Sequence, residues 1–137
     1  MKKSELEKRF DLIWSEVLKE LPAHAKDLQL VDEYPFAKSV GRRFRFDRCH
    51  MDQRVAIEIM GGTYTGGRHT SPSGYKKDCE KMLIAGELQW QMIYLTCDMV
   101  DHEHLRRIAA LILARNIVPG PNHDWLITHT TEQRNQN

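Results

Sequence analysis

A chain of 137 residues can bury one hydrophobic core and hardly fill two, so a single domain is expected over 1–137. Its hydrophobic content of 41% and charged content of 28% are those of a globular protein, and no stretch approaches the roughly 18 consecutive apolar residues of a membrane span. A net charge of +1 excludes a bulk electrostatic pull on nucleic acid, although positive charge gathers at Arg42, Arg43, Arg45 and Arg48 and again at Lys76, Lys77 and Lys81.

The first residues, Met1-Lys2-Lys3-Ser4-Glu5, run into charged amphipathic sequence without an apolar stretch, so no secretory signal is expected and the cytoplasm is the default compartment. From Glu5 to Leu21, Leu6, Phe10, Ile13, Trp14, Val17 and Leu18 recur at helical spacing, and Pro22 marks the stop, which predicts an N-terminal helix within 1–24. From Val40 to Cys49, Phe44 and Phe46 alternate with Arg43, Arg45 and Asp47, the period of a strand. A turn-like Met51-Asp52-Gln53-Arg54 follows, then Val55–Met60, a second strand rich in β-branched residues that ends at Gly61-Gly62. The two read as a hairpin.

Gly61 to Gly74 is loop by composition and carries Arg68 and His69. Tyr75 to Glu87 has helical periodicity through Cys79, Met82 and Leu83, and Trp90 to Thr96 is a short apolar run suited to a buried strand. A last helix, capped by Thr96 or Asp98, presents Val100, Leu105, Ile108, Leu111 and Ile112 as an apolar stripe and closes at Pro119-Gly120-Pro121. Residues 130–137 read as a polar tail. The predicted order, α-β-β-α-β-α, makes an α/β sandwich around a mixed sheet, with the chemistry in a core segment of 40–100. Cys49, Cys79 and Cys97 form an odd set without C-x-x-C spacing, so neither a disulfide framework nor a zinc ribbon is expected, and Cys49 with His50 lacks a second pair of zinc ligands.

A two-residue turn at Asp52-Gln53 would pair residues whose numbers add to 105, setting Asp47 across from Glu58 on one face. Two carboxylates opposed at about 5 Å repel unless a cation lies between them. An oxygen-only donor set selects Mg²⁺ or Mn²⁺, and such an ion polarises a phosphoryl oxygen and activates water. The plain alternative is that one of the acids pairs with Arg45 or Arg48 at the sheet edge. Glu58 resists that reading, because it interrupts an apolar strand and a buried, unpaired carboxylate is costly.

The ordered set Arg43-Phe44-Arg45-Phe46-Asp47, Val55–Thr63 with Glu58 at its centre, Gly67-Arg68-His69-Thr70, and Gly74-Tyr75 with Asp78-Cys79-Glu80-Lys81 resembles the small phage and bacterial branch of the PD-(D/E)XK nucleases. That branch is similar to the very-short-patch-repair-like and Holliday-junction-resolvase-like endonucleases, and the likeness runs from Arg42 to Val100, through Trp90 and the Leu95-Thr96 pair. The resemblance implies a restriction-endonuclease-like fold and Mg²⁺- or Mn²⁺-dependent hydrolysis of DNA, with Asp47 and Glu58 as metal-binding acids and Glu7, or else Glu16, as a third from the first helix. The lysine of the E-x-K element is replaced by Met60, and Lys81 on the following helix is the candidate substitute. Arg68 suits a phosphate clamp and His69 proton transfer or phosphate orientation, while Arg42, Arg43, Arg45, Lys76 and Lys77 are candidate DNA contacts. Branched, nicked or otherwise structured DNA is the expected substrate, because so small a domain has little surface for reading a long sequence. Two further readings stand beside this one: an inert DNA-binding module that has lost the lysine, and a protein-interaction subunit in which the acids are incidental. A homodimer would fit cutting of both strands, with the last helix as one candidate interface and core packing as the other use of its stripe.

Overall fold

The computed structural model describes residues 3–23, 27–61 and 72–115. Helix α1 spans Glu5–Glu20, and Ser4 caps it through a reciprocal box: the Glu7 N–H donates to Ser4 Oγ at 3.1 Å while the Ser4 N–H donates to Glu7 Oε2 at 3.0 Å. Strand β1 follows at Val31–Tyr34, then β2 at Phe46–His50, β3 at Val55–Ile59, helix α2 at Pro72–Glu87, β4 at Gln91–Leu95 and helix α3 at His102–Ala114. The order is α-β-β-β-α-β-α, one strand more than the sequence pattern predicts. Strand β1 was missed for a reason: its four residues, Val-Asp-Glu-Tyr, show no apolar alternation, and Glu33 breaks the extended backbone with φ of 51°.

The strands form one mixed sheet in the order β1-β2-β3-β4, antiparallel through β3 and parallel between β3 and β4. Pairs Arg48↔Ile57, Cys49↔Ala56 and His50↔Val55 carry the register whose numbers add to 105. The reversal uses four residues: the Arg54 N–H donates to the Met51 carbonyl at 3.3 Å, and Arg54 takes the left-handed conformation.

Strand β2 is shorter than the predicted Val40–Cys49 run. Lys38–Val40 is a 3₁₀ turn closed by left-handed Gly41, and the Arg42 N–H returns to the Ala37 carbonyl at 3.0 Å. On the other side, Pro35 ends β1 where it would face Arg45, and proline has no N–H to give to a ladder.

Each face of the sheet has its own core. Phe10, Trp14 and Val17 of α1 and Leu105, Ile108 and Ile112 of α3 pack with Val55, Ile57 and Leu95. The stripe of α3 therefore faces the core. Phe46, Cys49, Ala56, Phe36 and Trp90 pack with Ile84 and Ala85 of α2, and the Phe36 and Phe46 rings stack at 3.8 Å. Two predicted caps are corrected. Asp101 caps α3, accepting from the His104 N–H at 2.8 Å, while Thr96 and Asp98 belong to the 3₁₀ turn at Cys97–Met99. Helix α2 ends in a Schellman reversal with left-handed Gln89, the Trp90 N–H donating to the Ala85 carbonyl at 2.8 Å. The Pro119–Pro121 stop and the 130–137 tail lie outside the described residues. No helix among those described is long and apolar enough to cross a membrane.

Candidate metal centre and its cleft

The edge of β1 and the facing ends of β2 and β3 open into a cleft of about 460 Å³. The register of β1 with β2 adds to 80, so Glu33 falls beside Asp47, and the register of β2 with β3 places Asp47 beside Glu58. Three acids thus form a row across three adjacent strands. Like charges side by side do not make a stable ladder, and the regular pairing is interrupted at this row. Side chains replace the missing backbone bonds: the Asp47 N–H donates to Glu58 Oε2 at 3.1 Å, and the Ile59 N–H donates to Asp47 Oδ2 at 2.8 Å. Both carboxylates are thereby fixed by main-chain donors, and they keep lone pairs for another partner.

Helix α1 supplies a fourth acid. Carboxylate oxygens of Glu7, Glu33 and Asp47 all lie within 4.8 Å of one another. Glu16, the other candidate from α1, instead meets His102 of α3 at 2.5 Å. Glu7 is aimed by two constraints: its cap bond to Ser4, and Arg48 Nη1 at 3.3 Å. Arg48 is 1% exposed and holds the acids of two elements, Asp11 of α1 at 3.0 Å and Asp32 of β1 at 3.1 Å, while donating to the Asp47 carbonyl at 2.7 Å. One buried guanidinium ties α1, β1 and β2 together beneath the acidic row. Burial alone would favour protonated Glu7, but hydrogen bonds from Ser4 and the Arg48 charge outweigh it and hold Glu7 below its ordinary value. The same balance, with Arg48 and Lys3 as donors, holds Asp11 low.

Glu58 is the opposite case. It lies on the central strand, 4% exposed, and burial pushes it up to about 7; the Lys81 ammonium pulls it down and the Asp47 carboxylate adds to the rise. Lys81 reaches it from α2, on the other side of the cleft, where Nζ pairs with Glu58 Oε1. A lysine more than twenty positions along the chain is therefore brought to the Glu58 carboxylate. Met60, which stands at that sequence position, lines the cleft but is tied by its backbone, donating to the Leu95 carbonyl at 2.7 Å. Asp47 and Glu58 make no ion pair with Arg45 or Arg48 among the described residues, so the sheet-edge alternative does not describe this site.

Of the candidate DNA contacts, Arg43, Arg45 and Lys77 line the mouth of the cleft. Arg42 is committed elsewhere, paired to Glu80 of α2 at 2.8 Å with its guanidinium 4.5 Å over the Phe44 ring. Lys76 is exposed on α2 and is not among the lining residues. Arg68 and His69 lie outside the described residues. Sequence reasoning missed Glu33, the Arg48 hub with Asp11 and Asp32, and Tyr94, which pairs with Glu58 across β3 and β4 and lines the cleft. Burial, with the Glu58 carboxylate beside it, pushes the Tyr94 phenol up to about 12, and the buried Cys49 thiol rises to about 12 for the same two reasons. His50 is structural: Nε2 meets the Asp27 carbonyl at 2.7 Å and Nδ1 accepts from the Gln53 N–H at 3.2 Å.

No family model, curated protein or solved structure matches this chain.

Proposed function

We propose that this protein is a divalent-cation-dependent endodeoxyribonuclease that hydrolyses DNA phosphodiester bonds in the cleft between β1, β2, β3 and α2. The observation that carries the proposal is the convergence of five elements on one place: Glu7, Glu33 and Asp47, with carboxylate oxygens within 4.8 Å of one another, and beside them Glu58, which accepts from the Asp47 N–H and pairs with Lys81. A stability role does not account for it, since burying Glu58 next to Asp47 works against the fold. The donor set is all oxygen, which suits Mg²⁺ or Mn²⁺; Glu7, Glu33 and Asp47, whose carboxylate oxygens lie within 4.8 Å of one another, would hold the ion together with Glu58, which adjoins Asp47. When bound, such an ion polarises a phosphoryl oxygen and lowers the pKa of bound water.

The chain's own groups have separable tasks. Asp47 is held by the Ile59 N–H and Glu58 by the Asp47 N–H, so the backbone positions both carboxylates before a cation arrives. Lys81 balances Glu58 in the free protein, and its ammonium, released from that pair, is placed to donate to a phosphate oxygen or to orient the attacking water. Arg43, Arg45 and Lys77 offer positive charge at the rim, where a strand's flanking phosphates would pass. The pairing of Lys81 with Glu58 supports the resemblance to PD-(D/E)XK nucleases, in which Lys81 would stand in for the lysine replaced by Met60. The inert-module reading rests on Met60; Lys81 at Glu58 weighs against it.

The test is to incubate the protein with linear duplex, single-stranded, nicked and four-way-junction DNA in Mg²⁺, Mn²⁺ or chelator. Cleavage of at least one substrate that needs the cation is expected, with structured DNA preferred. Binding without cleavage under every condition would favour the inert module.

A further inference from the structure

Helix α2 turns Gly74, Ile84 and Ala85 into the protein and sends Lys81 to the cleft, yet its opposite face is also apolar. Tyr75 is 65% exposed, Met82 51% and Leu83 66%, and Cys79 and Gly86 are exposed on the same side. Their spacing, i, i+4, i+7, i+8 and i+11, is that of one continuous stripe at about 3.6 residues per turn. A solvated helix face has no use for such a stripe.

Gly86 adds a second oddity. Among the described residues a Cβ placed there would meet nothing within 4 Å, so none of them requires glycine, and the left-handed residue of the helix end is Gln89. Glycine inside a helix weakens it, and close approach by another body is one reason to keep one. The stripe is also its own mirror in sequence. Reversed about the point between Glu80 and Lys81, it sets Tyr75 on Gly86 and Cys79 on Met82, the largest side chain against the open notch. The same reversal brings Lys76, on the flank of the stripe, within one helical turn of Glu87 on the matching flank. Opposite charges therefore meet twice across a two-fold axis.

We propose that α2 pairs antiparallel with α2 of a second copy of this chain, each Tyr75 seated over the other copy's Gly86 and each Lys76 meeting the other's Glu87. A pair of four-turn helices covers less than the roughly 1,600 Å² of a standard interface, which makes this a weak dimer, with a dissociation constant on the order of micromolar. The inference stands apart from the nuclease reading, since the stripe faces away from the cleft.

Sedimentation equilibrium on the full chain tests it. The mass should rise from 16.0 kDa toward twice that value as concentration passes through the micromolar range. Leu83→Glu, at a solvent-exposed position and checked for an unchanged circular dichroism spectrum, should stay monomeric. Lys76→Glu and Glu87→Lys should each weaken association by about tenfold, and the double reversal should restore it. A wild-type chain that stays at 16.0 kDa throughout overturns the proposal, as does a Leu83→Glu chain that associates like wild type. A double reversal no better than either single change overturns the antiparallel register.

Discussion

Replacing Glu58 by glutamine should make the metal-free protein less sensitive to pH, and the direction and size of the effect follow from the site. In the folded chain burial holds Glu58 at about 7, against an ordinary 4.5, so between these values the native state keeps a proton that the unfolded chain has released. Stability at this position is full below about 4.5, declines as pH rises through that window, and levels off above 7. At about 1.4 kcal/mol per pH unit, the move from 4.5 to about 7 amounts to about 3 kcal/mol, a large part of the 5–15 kcal/mol that holds a typical domain together. Glutamine keeps the shape and cannot ionise. It also removes the partner of Lys81, so the comparison is of the slopes of the two curves and not of their heights. Urea denaturation in chelator at pH 4 and pH 8 gives the comparison: relative to Glu58→Gln, the wild type should lose about 3 kcal/mol between the two. Carboxylates held low by Arg48, such as Glu7 and Asp11, titrate alike in both proteins and cancel. Mg²⁺ at 100 times its dissociation constant should then return about 2.7 kcal/mol to the wild type at pH 8 and little to the variant. Parallel pH profiles for the two proteins would refute the reasoning, because they would mean that Glu58 is fully compensated in the free protein.

Other perturbations separate the roles of neighbouring residues. Lys81→Ala should lower the turnover of cleavage by at least about 100-fold while DNA affinity changes by less than about threefold, since its task lies in the transition state; equal losses in both would make it a binding residue. Arg43→Ala with Arg45→Ala should reduce the slope of log affinity against log salt by up to about 1.8 for duplex DNA, whereas Arg42→Ala, already spent on Glu80 and Phe44, should leave the slope unchanged; the reverse result would place the DNA path across Arg42. Arg48→Ala strands three acids beneath the row and should cost about 3–5 kcal/mol in chemical denaturation; a loss under 1 kcal/mol would show that Glu7, Asp11 and Asp32 do not depend on it.

Helices α1 and α3 and the paired strands β2, β3 and β4 were legible because each buries a periodic apolar face, whereas α2 was legible from Cys79, Met82 and Leu83, which the structure leaves exposed; the register of β2 with β3 was legible because the reversal kept its count. The row of acids was half legible. Asp47 and Glu58 stood out as charges within strand patterns, and Glu7 followed from the family resemblance. Glu33 gave no signal: it sits in a short, polar edge strand, and it reaches Asp47 only because β1 folds onto β2. Arg48 read as one of a basic cluster, and only its burial distinguishes it from Arg43 and Arg45. Its partners come from Glu7 and Asp11 on one element and Asp32 on another, a long-range meeting that no local spacing encodes. Lys81 was visible only as the nearest lysine able to stand in for Met60, and its arrival at Glu58 depends on α2 crossing the mouth of the cleft.

The most direct test of the central claim is the rate at which supercoiled plasmid is nicked as Mg²⁺ is raised, measured side by side for wild type, Asp47→Asn and Glu58→Gln. The wild type should convert supercoiled to open-circular DNA with a saturable dependence on Mg²⁺ and no reaction in chelator, while both variants remain folded and lose at least about 1,000-fold in rate. Nicking that persists in chelator, or variants that cut as fast as the wild type, would contradict the account.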